Sequence, residues 1–95
     1  METPKHTLAD IRGQIDTLDR EIIRLIAERQ QRVIAAGSLK SDEAAVRAPD
    51  RVEQVIAKVR AVADDVGASP QVVETTYRAM IGAFIDLELA HHREG

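Results

Sequence analysis

Arg29 occupies the position at which the apolar series of the first segment, running through Ile22 and Leu25, would place its next member. A guanidinium on such a seam costs on the order of several kcal/mol unless it is paired or meets an anion. Arg12 follows Ile11 directly and can reach inward along the same helix. The third segment repeats the oddity, because one turn after Phe84 stands Glu88. Arg51 opens the second segment beside Val52, and Lys40 lies in the loop before it. Singly, each reads as a flanking charge whose stem snorkels along a core. Together, four cations and one carboxylate at the edges of apolar stripes read as a basic pocket in a helical bundle. Such a pocket suits a small polyanion, a dicarboxylate for example.

Other residues carry less chemistry. His91 and His92 adjoin Glu88, but neighbouring histidines near a terminus point to different faces and read as solvent-exposed, with no metal site implied. His6 belongs to a tail spanning residues 1–7. Ser38, Ser41 and Ser69 have no histidine–acid partner nearby in sequence, and Ser69 is explained as a helix cap. The five glycines are scattered and form no phosphate loop. Asp64 and Asp65 read as a solvated helix end, and Asp16 and Asp19 as helix-face partners of Arg12 and Arg20.

Three helices must position these groups. Leu8, Ile11, Ile15, Leu18, Ile22 and Leu25 recur at steps of three and four, which predicts a helix from about Leu8 to Ala36. Thr7 caps it, and Asp10 places a carboxylate in its first turn. The segment SLKSDEAAVRAP has no clean period and reads as a loop with room for one helical turn. Pro49 opens a second helix with the seam Val52, Val55, Val59, Val62 and Val66, closed by Gly67. Ser69-Pro70 opens a third, with Val73, Tyr77, Met80 and Phe84 on one stripe and Val72, Ile81 and Leu87 alongside. No period of two is sustained, so the fold class is all-α, in one domain over residues 1–95.

The first helix is long for its chain. Roughly 29 residues rise about 43 Å, whereas a compact chain of 95 residues has a diameter of about 32 Å. Its stripe continues along most of that length and calls for a partner helix. A second copy of the chain supplies one; a bent or broken first helix in a three-helix monomer is the alternative.

Composition narrows the function classes. With no cysteine, there is no disulfide scaffold, thiolate zinc site or cysteine nucleophile. A net charge of −3 argues against nucleic acid as a partner, and 31% charged residues against a membrane span. The start, METPKHTLAD, shows no apolar signal region, which leaves a cytoplasmic protein as the expectation. Tyr77 and Phe84 are the only aromatics, so the core of a single chain is thin.

The motifs LxxIRxxID at 8–16 and AERxxRV at 27–33, the loop lysine and the arginine opening the second helix resemble the all-helical chorismate mutase family. The resemblance covers about residues 8–92. LADIR (8–12) and KSDEAAVRAPDRV (40–52) are most similar to the isochorismate pyruvate lyase branch. The resemblance implies an intertwined homodimer in which Arg12 is donated across the interface. It implies that Arg29 binds a substrate carboxylate within its own chain and that Lys40 reaches a carboxylate and the ether oxygen of the breaking bond. Arg51 would bind a carboxylate or buttress the pocket. Glu88 falls beside the ether oxygen, where many bacterial members carry glutamine and fungal members glutamate.

Three positions depart from the best-known bacterial mutases. Val52 replaces a glutamate near the substrate hydroxyl, Ala48 an aspartate, and Phe84 a small polar residue; an aromatic at 84 is again similar to the lyase branch. Glu88 points the other way, towards the mutase, because the lyases carry glutamine there. The expected activity is therefore rearrangement of chorismate to prephenate, with isochorismate cleavage to salicylate and pyruvate as the alternative. A silent mutase-like dimer serving as a binding module is a third reading, against which the four retained cations speak. Neither reaction implies a metal, cofactor or nucleophile. A carboxylate at 88 would repel charge developing on the ether oxygen, so Glu88 is expected to act protonated.

Overall fold

The computed structural model describes residues 7–94, so His6 and the expected tail, Thr7 apart, lie outside the described residues. Three long helices and one short one make up the chain, with no strand among the described residues. Helix α1 spans Leu8–Gly37, α2 Glu43–Arg47, α3 Pro49–Val66 and α4 Pro70–Glu94. All three long helices start, and the first two stop, within about a residue of the positions the sequence predicts. Their caps explain why: the Thr7 hydroxyl accepts the Asp10 N–H at 3.1 Å, and the Ser69 hydroxyl accepts that of Val72 at 3.3 Å. Gly67 closes α3 at φ 80°, a conformation that suits a residue without a side chain.

The loop does carry a helical turn. Asp42 caps α2 by accepting the Ala45 N–H at 2.9 Å, and Val46 is buried. Ala48 then serves two helices at once. Its N–H closes α2 on the Ala44 carbonyl at 3.0 Å, and its own carbonyl accepts the Val52 N–H of α3 at 3.1 Å. The residue sits at φ 35°, in the left-handed region, and Pro49 follows it into α3.

Two compact units meet within α1, between Arg32 and Val33. In the first, α1 runs from Leu8 to Arg32, and Leu8, Ile15, Leu18, Ile22, Ile23 and Leu25 are 48–63% exposed. In the second, α3 and α2 both pack against α4. Its core is Val46, Ile56, Ala63, Ile81, Phe84 and Leu89, with Tyr77 half-buried beside it. The α3 seam differs from the expected one. Val52, Val55 and Val59 are half-buried, but Val62 and Val66 are exposed while Ile56 and Ala63 are buried. Ile56 and Ala63 stand seven residues apart along one side of the valine stripe, so the face that packs against α4 is rotated towards that side.

Charged groups tie α3 to α4 at the surface. Arg78 donates to both carboxylate oxygens of Glu53 at 2.9 Å and to Glu74 at 2.7 Å; Glu74 also accepts from Arg60 at 2.7 Å. The Arg78 guanidinium holds Glu53 below the ordinary glutamate range, and Arg78 with Arg60 does the same to Glu74. No described helix is long and apolar enough to cross a membrane.

Candidate active site

The end of α1 determines where Lys40 goes. The chain leaves the helix in a tight turn in which the Leu39 N–H bonds the Ala36 carbonyl and the Lys40 N–H bonds that of Gly37, both at 3.1 Å. This turn aims the lysine at α4. There Lys40 Nζ donates to Glu88 Oε2 at 2.9 Å. Glu88 is only 6% exposed, and its lysine partner is half-buried. A buried carboxylate persists only with a partner of this kind.

Around the pair lies a cavity of about 370 Å³. The last turn of α1 contributes Ile34 and Gly37, the following turn Ser38 and Lys40, and α4 supplies Glu88, His91 and His92. Its size falls in the range of small-molecule sites. One apolar wall, one ammonium, one carboxyl and two imidazoles can hold a small ligand carrying negative charge.

The histidines correct the expectation that they are merely solvent-exposed. His91 is exposed but lines the cavity, and His92 is half-buried in its wall. The signal was their distance from Glu88: three and four residues along a helix place both on its face. One residue further, Arg93 donates to Glu43 at 3.0 Å and fastens α2 to the last turn of α4. That guanidinium holds Glu43 below the ordinary glutamate range, and its hydrogen bond is the main cause.

Lys40 and Glu88, 48 residues apart, are thus brought together. Phe84 is buried one turn before Glu88, in the core, while Val52 is half-buried and Arg51 exposed at the start of α3. None of these three lines the cavity. Arg12 and Arg29 belong to the first unit, where Arg12 is exposed and Arg29 half-buried. In place of the strongly positive lining expected, the cavity wall carries an ammonium balanced by a carboxyl.

Residues 11–89 match the family described as chorismate mutase type II, which takes in the long helix, the Lys40 turn and Glu88. The chain belongs to that family. Across nearly its full length it is also similar to a Pseudomonas aeruginosa protein named isochorismate pyruvate lyase. The two are 32% identical over 96 residues, covering 99% of this chain and 95% of the relative. A Haemophilus influenzae protein named T-protein is 35% identical over 72 residues, which cover 75% of this chain but 19% of that longer protein. The resemblance carried by the arginine motifs and by LADIR therefore holds, for the chorismate mutase family and for its similarity to the lyase branch.

Proposed function

We propose that this member of the chorismate mutase family rearranges chorismate to prephenate, with Lys40 and Glu88 at the breaking bond. The observation that carries the reading is the Lys40–Glu88 pair on the wall of a cavity of small-molecule size. The rearrangement is unimolecular: one C–O bond breaks as one C–C bond forms, and no group is transferred to the protein. Catalysis then needs a confined substrate geometry and donors aimed at the ether oxygen as it gains charge. Lys40 is such a donor. Glu88, as the acceptor for that ammonium, holds it on the cavity wall.

Arg29 and Arg51 are assigned to the substrate carboxylates, and Val52 and Phe84 to substrate binding, on the strength of the resemblance, since Arg51, Val52 and Phe84 stand off the cavity wall. Arg12 of the partner subunit completes the pocket in a homodimer. The exposed stripe of α1, from Leu8 to Leu25, supports that assembly, because an apolar helix face of this length is seldom left to water. Complete, the pocket gains positive charge that the Lys40–Glu88 pair alone does not provide. A cytoplasmic enzyme without metal or cofactor is the corresponding assignment.

Cleavage of isochorismate to salicylate and pyruvate is the second reading, favoured by the near full-length similarity to a protein named for that reaction. The same cationic pocket can serve it, since it too is pericyclic. Supplying chorismate and isochorismate separately decides between them. Loss of chorismate absorbance with prephenate formed and no salicylate fluorescence is the expected result; salicylate from isochorismate alone overturns it.

A further inference from the structure

Glu88 owes its position to a side chain that is missing. A Cβ placed on Gly37 would lie 2.8 Å from Glu88 Oε2 and 3.4 Å from its carboxyl carbon. Real Cβ atoms essentially never approach an oxygen so closely. The oxygen concerned is the one that accepts the Lys40 ammonium at 2.9 Å. Any residue other than glycine at 37 would therefore push this oxygen off the lysine.

Nothing else at position 37 calls for glycine. The backbone there is helical, and Gly67 is the one glycine at positive φ among the described residues. Two alanines precede Gly37, and a third would favour the helix more than glycine does. A Cβ on Gly13 or Gly82 would meet nothing within 4 Å, so neither is held by contact. Gly37 alone carries both a helix penalty and a close approach, and the approach is to the buried carboxyl of the site. Its carbonyl meanwhile accepts the Lys40 N–H at 3.1 Å, so one residue touches both members of the pair.

We propose that Gly37 is the positioning residue of the Lys40–Glu88 pair: its bare Cα makes the space in which the Glu88 carboxyl meets the ammonium. The inference rests on the reading of that pair as catalytic only where turnover is concerned. Because the obstructed atom ends a flexible side chain, Gly37→Ala leaves the fold intact and displaces the carboxyl alone.

The test is a double-mutant cycle in the full chain, with Lys40→Met and Glu88→Gln made in the parent and in the Gly37→Ala background. Unfolding equilibria and turnover are read for each. In the parent, the two substitutions should be non-additive by about twofold or more in the unfolding constant. In the Gly37→Ala background that coupling should vanish, with a melting temperature no lower than that of the Lys40→Met single variant. Turnover should fall about tenfold or more, as a misplaced catalytic group requires. Coupling that persists in the Gly37→Ala background, or a melting temperature below that of Lys40→Met, overturns the proposal. Coupling that vanishes while the parent turns over neither chorismate nor isochorismate upholds the positioning and overturns the reaction instead.

Discussion

Lys40 and Glu88 form a pair that neither residue's neighbours in the chain announce. Glu88 is nearly inaccessible, so its removal is felt differently from that of a surface charge. Lys40→Ala takes the ammonium from a buried carboxyl and leaves an unpaired acceptor, a change worth about 1–3 kcal/mol of stability. Turnover should be abolished by the same substitution and by Arg29→Ala, with helical circular dichroism retained in both. Full activity in both variants would exclude the assigned roles. The positions differ in how they could be read. Arg29 and Glu88 stand out because a charge interrupts an apolar series, whereas His91 and His92 are recognisable only through their three- and four-residue spacing from Glu88.

Among the elements, α2 and the turn before it matter most, since they carry Lys40 to α4. Val46 is the buried residue of α2, and Val46→Ala should cost about 1.5 kcal/mol or more, visible in chemical denaturation. Ala48 joins α2 to α3 in a left-handed conformation that a Cβ disfavours by about 1–2 kcal/mol. Ala48→Gly should accordingly raise the melting temperature, or at the least not lower it.

The α3–α4 pairing adds a pH dependence with a definite sign. Glu53 and Glu74 are held below the ordinary glutamate range by arginines, so their contribution is complete above that range. It is lost as the pH falls through their depressed values. Thermal melts should therefore drop on acidification below the ordinary glutamate range. Arg78→Met should melt lower at neutral pH and change less with acid, and a parallel acid response in the two proteins would exclude the arginine as its cause. Element boundaries were largely legible, because caps and glycine stops act within a few residues. The α3 seam was not, because the burial of Ile56 and Ala63 in place of Val62 and Val66 depends on the face that α4 offers.

For the molecule as a whole, the exposed α1 stripe makes a sharp expectation. Sedimentation at micromolar concentration should give twice the 10.5 kDa chain mass, and Leu18→Glu on the stripe should weaken the association. A parent that sediments as a 10.5 kDa species overturns the homodimer. By itself the sequence determined the all-α class, the three long helices, their caps and the family, since these follow from local periodicity and short motifs. Only the tertiary structure decided which charges meet. It set Lys40 on Glu88, placed two histidines in the cavity wall, and showed that Gly37 leaves room for the carboxyl. Contacts between residues about fifty positions apart depend on how the helices pack and turn, and no local pattern encodes a distance across space.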